Sequence, residues 1–328
     1  MPSLRDWWTG DTTDPGRLPP EDPRVRDLLD RIAPGETIED LGGAFSLNLR
    51  LTPSDRVLRV HRPMISRRRL RAEQHLRAML CEAGIRTPLP FPIVGDTIAL
   101  CGHGSSQRLA ELEPFVRTTE PAPSIASSRW LFHALGSLHT VASTLSLTMP
   151  RAVVATWGTP SSMSRWLAET SRAVASAPAA REQLDAAWEM LPAIRSDWVD
   201  PSRLPHHLVH GDFRLGNAVQ AHDDGELVVF DMGFAAVRPR VWDVAYALGF
   251  VHLALGEAWG PATTDEMIAL YEDACSRPLN ADERRAIPAM AAIALLHTLA
   301  HAGFMANPTH VAGTQGPFVR AARRILWP

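Results

Sequence analysis

The chain has 328 residues, 45% of them apolar, and a formal net charge of −3 at pH 7. This length allows a sizeable core in one large or two medium domains, and the near-neutral charge argues against the broad basic field typical of nucleic-acid-binding proteins. The three cysteines (Cys81, Cys101 and Cys275) are far apart, which indicates reduced thiols in a cytoplasmic protein and not a disulfide framework.

The N-terminal part begins with an irregular stretch and continues as a hairpin. Residues 1–36 are rich in Pro, Asp and Arg and are predicted to form a lead-in with a short helix near Val25–Arg31. The first residues lack a basic stretch followed by an apolar one, so we expect no secretory signal. Apolar residues then alternate over 45–51 and return at 57–60. This period-two pattern predicts two strands joined by the turn at 53–55.

A helix and two more strands are expected after this hairpin. Residues 65–80 carry apolar side chains near helical spacing, and Gly84 marks the end of the helix. Its first turn, SRRRLR at residues 66–71, is predicted to be a solvated basic face. Segments 91–100 and 108–116 indicate the two strands. Residues 117–128, rich in Pro, Ser and Thr, are predicted to connect two lobes.

The remainder of the chain is predominantly helical in pattern. Helical spacing predicts helices over residues 130–142 and 164–194. Short strand-like segments follow at 207–219 and 226–233, and helices are expected after 242. The longest apolar run, 286–304, contains a proline and two histidines, so we predict a buried helix and not a membrane span. We therefore expect an α+β protein of two lobes, a small β-rich lobe over 37–116 and a larger α-helical lobe over 117–328.

Three polar side chains follow the predicted strands of the larger lobe. Asp212 and Asn217 come after one apolar segment, and Asp231 ends the next, with the turn-forming residues 223–225 between them. A hairpin would bring two carboxylates and an amide to the mouth of one cleft. Such oxygen ligands suit Mg²⁺, which keeps waters and phosphate oxygens in its coordination shell. A second carboxylate can orient a hydroxyl nucleophile, which is the arrangement needed for phosphoryl transfer.

The motifs in this region resemble those of a known family. His210-Gly211-Asp212, Asn217, Asp231-Met232-Gly233 and later Asp243 stand in the order found in the aminoglycoside phosphotransferase and choline kinase family, a branch of the protein-kinase-like fold. The resemblance implies a bilobal kinase-like fold that transfers the γ-phosphoryl group of ATP or GTP to a hydroxyl. It also implies that Asp212 accepts the hydroxyl proton, that Asn217 and Asp231 hold Mg²⁺, and that Asp243 braces the catalytic loop.

The resemblance places the nucleotide in the smaller lobe. Gly42 and Gly43 would let backbone N–H groups approach the phosphates. The family usually has a phosphate-contacting lysine on the third strand. This chain contains no lysine, and Arg59 stands at that position, with Glu73 as its expected partner. Backbone groups near Glu111 and Glu113 would bind the adenine edge at the hinge.

Several assignments have an alternative. Arg214 is predicted either to neutralise charge on the transferred phosphate or to be a solvated surface arginine. His210 is expected to support the loop, and His297 and His301 to be packed or substrate-lining. The departure at Arg59 leaves open a nucleotide-binding pseudokinase, and the His and Asp residues leave open a metal-dependent hydrolase.

The acceptor molecule is the least determined feature. From residue 244 onward the sequence has near-balanced charges, seven acids and six arginines. That balance disfavours a polycationic substrate and favours a more apolar or mixed one. We expect a small hydroxylated molecule, an antibiotic or other natural product in preference to a primary metabolite such as choline, homoserine or a sugar, with no nucleic acid or membrane as partner. The oligomeric state is left open.

Overall fold

The computed structural model describes residues 17–43, 45–63, 65–119, 121–150, 156–305 and 307–328. The first part of the predicted lead-in, residues 1–16, therefore lies outside the described residues. The smaller lobe and the linker contain α1 (Pro23–Ile32), β1 (Thr37–Asp40), β2 (Leu47–Thr52), β3 (Arg56–Val60), α2 (Arg67–Glu82), β4 (Ala99–Cys101), β5 (Arg108–Pro114) and β6 (Thr118–Thr119).

The larger lobe continues with helices and short strands. In chain order these are α3 (Ile125–Ala142), α4 (Pro160–Ala173), α5 (Pro178–Asp197), β7 (His206–Val209), β8 (Ala218–Ala221), β9 (Leu227–Val229), β10 (Ala236–Pro239), α6 (Val241–Leu255), α7 (Pro261–Ala274), α8 (Ala281–His301), α9 (Pro308–Gly313) and α10 (Gly316–Leu326). Short 3₁₀ turns occur at Gly104–Ser106, Pro201–Arg203, Met232–Phe234, Gly256–Ala258 and Ala302–Phe304.

A five-stranded antiparallel sheet forms the smaller lobe, in the order β1-β2-β3-β5-β4. The predicted hairpin is confirmed, because β2 pairs antiparallel with β3 and places Leu49 opposite Leu58. Alternate residues of β2 are buried against α1, as the period-two pattern requires. Phe45 is a correction: it precedes the strand and is 45% exposed. The strand expected over 91–100 is also shorter, since only Ala99–Cys101 pairs continuously with β5.

The helix predicted after the hairpin is confirmed as α2. Ser66 caps it by accepting a hydrogen bond from the main-chain N–H of Arg69. The prediction that residues 66–71 form a solvated basic face is correct for the exposed Arg67 and Arg71, which pair with the half-buried Asp96, and wrong for Arg69. The Arg69 side chain is 4% exposed and points toward the larger lobe.

The larger lobe is a packed set of helices carrying two small sheets. The apolar helix α8 lies against α6 and α10 and contributes many fully buried side chains. Among the described residues, the segment Ala281–Phe304 is the one long and apolar enough to cross a membrane, but 67% of its most apolar window is buried inside the protein. The prediction of a buried core helix is thus supported.

Short strands deliver the loops of the larger lobe to the face that meets the smaller lobe. β8 and β9 form the predicted hairpin, with Ala218 opposite Val229, and β6 adds to its edge. β7 pairs instead with β10, with Val209 opposite Ala236. The loops after β7 and after β9 consequently open on the same side. The two-lobed α+β architecture is as predicted, and the boundary near residue 116 stays a prediction.

Candidate active site

The loop after β7 is held from below by one buried carboxylate. Asp243, in the first turn of α6, is 0% exposed and accepts hydrogen bonds from the main-chain N–H of His210 at 2.6 Å and of Gly211 at 2.8 Å. It also lies 3.2 Å from Nε2 of His139. Burial alone would raise the pKa of Asp243, but the hydrogen bond and charge of His139 outweigh it and lower the pKa. The predicted bracing contact is therefore present.

Gly211 and His210 give the loop its shape. Gly211 has φ +83°, and a Cβ there would lie 2.6 Å from the main-chain oxygen of Phe234, so only glycine fits without strain. His210 accepts a hydrogen bond at Nδ1 from the N–H of Asp212 and lies 2.7 Å from the carbonyl of Phe230 through Nε2. These two contacts define a neutral tautomer and a supporting role, as expected from the sequence.

The Asp212 side chain is 9% exposed, and its carboxylate is held by three donors. Its Oδ1 accepts from the Tyr246 hydroxyl at 2.6 Å and from Nε of Arg214 at 3.2 Å. Its Oδ2 accepts from the Asn217 amide at 2.8 Å. Since a carboxylate oxygen has about two acceptor positions, Oδ1 is filled and Oδ2 has one left. The carboxylate is thus oriented, with one side available to a hydroxyl group.

Asp231 lies beside Asn217 because of the β8–β9 hairpin. The main-chain N–H of Phe230 donates to the carbonyl of Asn217 at 2.8 Å, so the next residue, Asp231, emerges at the same place. Asp231 adopts left-handed backbone angles (φ 55°, ψ 63°) that turn its side chain out of the strand. Partial desolvation in the cleft would raise its pKa, but the charges of Arg59 and Arg62 outweigh this effect and lower the pKa below the usual value, so the group is an anion.

These oxygens fit a hard divalent cation. The Asn217 amide nitrogen donates to Asp212, which leaves its Oδ1 without a hydrogen bond in the part of the chain that the structure describes. The Asp231 side chain is 40% exposed and faces the cleft between the lobes. One carboxylate and one amide oxygen, completed by phosphate oxygens and water, would form a donor set typical of Mg²⁺.

The smaller lobe presents Arg59 to the same cleft. Its Nη2 lies 3.8 Å from Asp231, and its Nε donates to Oδ1 of Asn48 at 3.1 Å. The amide of Asn48 in turn donates to the carbonyl of Gly42 at 2.8 Å. Gly42 and Gly43 have φ of +82° and +121°, and a Cβ on Gly43 would lie 2.7 Å from the Asn48 amide. The glycine turn and the arginine are therefore linked into one structure, and their role toward phosphate stays a prediction.

The expected Arg59–Glu73 ion pair is wrong. Glu73 is buried and pairs with Arg69, one turn earlier on α2, through Nε at 2.5 Å. The same guanidinium donates to the carbonyls of Met232, Gly233 and Ala235. Arg69 and Glu73 are neighbours at i, i+4 on one helix face, so Glu73 pairs with Arg69 and not with Arg59 on β3. Glu73 therefore positions Arg69, which ties α2 to the loop that carries Asp231.

Glu111 and Glu113 lie inside a strand of the smaller lobe. Both lie within β5, opposite Arg59 and Val57 of β3, so their main chain belongs to the sheet. Their carboxylates are buried and pair with Arg77 of α2. The strand ends at Pro114, and an adenine contact by the main chain near Glu111 and Glu113 stays a prediction.

Sequence reasoning overlooked other residues near the site. Tyr246 lies in the RVWDVAYAL stretch that carries Asp243 but was given no role, although it follows Asp243 at i+3 on one helix and so faces the same loop. Asn48 was overlooked as well, although the register of the β2–β3 hairpin places it directly opposite Arg59. Arg62, whose guanidinium lies 4.9 Å from the centre of the Phe234 ring, adds a second cation close to Asp231. Only its position just after β3 could have suggested it.

Known proteins resemble this chain in sequence pattern and in fold. Residues 37–289 match the model of the phosphotransferase enzyme family. Three similar solved structures are a microcompartment-associated aminopropanol kinase (15% identity, TM-score 0.66, 91% of this chain and 94% of that one), an amicoumacin kinase in complex with AMP-PNP and Ca²⁺ (15%, 0.60, 86% and 85%), and an aminoglycoside phosphotransferase from Alicyclobacillus acidocaldarius (13%, 0.60, 94% and 95%). No curated protein matches by sequence. At these identities the likeness shows a kinase-like fold.

Proposed function

Because the chain belongs to the phosphotransferase enzyme family and is a small-molecule phosphotransferase, we propose that it transfers the γ-phosphoryl group of ATP or GTP to a hydroxyl of a small molecule. The observation that carries this proposal is the orientation of Asp212. Its carboxylate is fixed by Tyr246 and Asn217 and keeps one acceptor position on Oδ2. A hydroxyl bound there would be aligned for attack and could release its proton to Asp212.

The opposite wall of the cleft would hold the triphosphate. Arg59 and Arg62 supply positive charge near Asp231. In the Gly42–Gly43 turn the N–H of Gly42 already donates to Oδ1 of Asp40 at 2.8 Å, so the turn would offer the N–H of Gly43 to a phosphate. Asn217 and Asp231 would hold Mg²⁺, which neutralises charge on the phosphate oxygens when bound. Arg214, paired with Asp212 and 45% exposed, is free to turn toward the transferred group.

We propose that the acceptor is an alcohol without a dense set of positive charges, such as an antibiotic or another natural product. Most of the acids after residue 244 are already neutralised by arginines, in the pairs Arg129–Glu266, Arg284–Glu272, Arg203–Asp282 and Arg240–Glu283. Beside the base, Tyr246 stacks on Phe250 at 4.7 Å, and Phe250 packs edge-on against Phe318 at 6.4 Å. An aromatic wall favours an apolar or mixed acceptor.

A thermal-shift titration with ATP or GTP, with and without Mg²⁺, tests the nucleotide site, since a ligand that binds the native state raises the melting temperature. Asp212→Ala should keep this shift and lose turnover, whereas Asp231→Ala should lose most of the Mg²⁺-dependent shift. Nucleotide consumption across hydroxylated antibiotics and metabolites then identifies the acceptor. Absence of any Mg²⁺-nucleotide shift, or near-normal turnover in Asp212→Ala, would overturn the proposal.

A further inference from the structure

Arg62, two residues after β3, lies where three loops of the cleft meet. Its guanidinium carbon is 4.9 Å from the centre of the Phe234 ring and 5.8 Å from that of Phe45. Phe45 follows the glycine turn of the smaller lobe, and Phe234 ends the 3₁₀ turn after Asp231. Phe234 also packs on the loop after β7, because its Cβ lies 3.0 Å from the point that a Cβ on Gly211 would occupy. Arg62 is therefore placed beside all three loops.

The Arg62 guanidinium forms no hydrogen bond and no ion pair with the described residues, although an acid is close. Its Nη2 and Oδ1 of Asp231 lie 3.7 Å and 3.2 Å from one point, the place that a Cβ on Gly233 would take. A cation over an aromatic ring uses none of its N–H groups, so all five donors are available. The side chain is partly exposed, and its nitrogens are open to solvent, unlike the buried unpaired nitrogens elsewhere in the described chain. A ligand in the cleft can therefore reach them.

Positive charge exceeds negative charge around this guanidinium. Three cations, Arg59, Arg62 and Arg69, lie close together, and the carboxylates near them are those of Asp231 and Glu73. Arg69 holds Glu73 at 2.5 Å, and Arg59 lies 3.8 Å from Asp231, so the third cation has no anion of its own. Burial lowers the pKa of Arg62, but a guanidinium stays charged in proteins. An unpaired, partly buried cation is costly unless an anion binds to it, so the cleft is prepared for an anionic ligand at this point.

We propose that Arg62 is a catalytic residue that binds the γ-phosphoryl group during its transfer, whereas Arg59 holds the nucleotide before and after transfer; this inference rests on the proposed function. In that reaction the bond from Pγ to the bridging oxygen of the leaving nucleoside diphosphate breaks. A bond from Pγ to the acceptor oxygen forms, and the hydroxyl proton passes to Asp212. The charged outer oxygens of Pγ then lie between the loops of Asp212 and Asp231, beside the free donors of Arg62. Such a contact stabilises the transition state more than the bound nucleotide.

Binding of a transition-state mimic separates this role from nucleotide binding. Titration calorimetry on the full chain measures the affinity for ADP with Mg²⁺, in the absence and presence of aluminium fluoride, which forms a planar mimic of the transferred group. We expect aluminium fluoride to tighten ADP binding by the wild type roughly tenfold or more. Arg62→Met should bind ADP about as tightly as the wild type and lose most of that gain, whereas Arg59→Met should bind ADP itself more weakly.

The outcomes distinguish this inference from the proposed function. A wild type that gains no affinity from aluminium fluoride, or an Arg62→Met variant that gains as much as the wild type, would overturn the role of Arg62 alone. Failure of the wild type to bind any Mg²⁺-nucleotide would overturn the proposed function itself. If Arg62→Met does not fold, Arg62→Lys, which keeps the charge but not the planar fork of donors, should still gain less affinity than the wild type.

Nucleotide consumption, with the best acceptor or with water, supplies a second test. Losing a contact made only in the transition state lowers kcat and leaves KM nearly unchanged. Arg62→Met should lower kcat roughly a hundred- to a thousandfold, with the nucleotide KM within about threefold of the wild type. The matched control is Arg323→Met on α10: Arg323 also lies over an aromatic ring, 5.9 Å from the centre of Trp327, but is 53% exposed and should give normal turnover. A raised KM with unchanged kcat, or an equal loss in the control, would show that Arg62 does not contact the transferred group.

Discussion

Replacing Asp243 with asparagine should destabilise the protein strongly, although the two side chains have nearly the same size. The carboxylate is fully buried and accepts from the N–H groups of His210 and Gly211, with the His139 imidazole 3.2 Å away. Asparagine turns one of these acceptor oxygens into an NH₂ group. That donor would then face a backbone N–H, which is itself a donor and has no water to bond.

The magnitude follows from the contacts. One buried N–H left without an acceptor costs about 1–3 kcal/mol. The remaining hydrogen bonds change from a charged to a neutral acceptor and lose roughly half their strength, about 1 kcal/mol each. The sum is roughly 3–5 kcal/mol, a large part of the ~5–15 kcal/mol that stabilises a typical protein.

Urea unfolding followed by circular dichroism, together with melting temperature, measures this loss. The control is Asp185→Asn on α5, where the carboxyl is exposed and forms no ion pair among the described residues. We expect a clear loss of stability in Asp243→Asn, accompanied by slower turnover, and less than about 0.5 kcal/mol in the control. Equal stability of the two variants would show that Asp243 does not hold the loop.

Three further outcomes are expected. Tyr246→Phe should lower kcat roughly tenfold with little change in the nucleotide KM, because it removes one hydrogen bond from Asp212 and leaves the triphosphate site intact; a KM effect alone would contradict this. Arg59→Met should raise the nucleotide KM, while Arg59→Lys should retain much of the affinity as a point charge; equal values for wild type and Arg59→Met would remove Arg59 from the phosphate site. The folded-state pKa of His252, about 4, lies below its unfolded value of 6.5, so its contribution to stability is complete above pH 6.5 and lost as pH falls toward 4. The melting temperature of His252→Gln should therefore fall less than that of wild type between pH 7 and 4.5. Equal decreases in the two proteins would show that His252 does not have a lowered pKa in the folded state.

Local patterns in the sequence determined the main elements of the fold. Period-two alternation identified the β2–β3 hairpin, and helical spacing identified α2, because both depend on neighbours within a few residues. The turn residues at 223–225 likewise identified the β8–β9 hairpin, which brings the chain at Asp231 next to Asn217. That Asp212, Asn217 and Asp231 act together around one metal stays a prediction, which rests on their spacing and on the family resemblance.

Only the tertiary structure decided which charged groups pair and which side chain donates a hydrogen bond to the base Asp212. Glu73 could be assigned to Arg59 or Arg69 on charge alone, and the helix geometry selects Arg69. Tyr246 reaches Asp212 across 34 positions of sequence because α6 packs beneath the loop. Such contacts depend on how distant elements pack together, and that packing is a property of the whole core that no local pattern encodes.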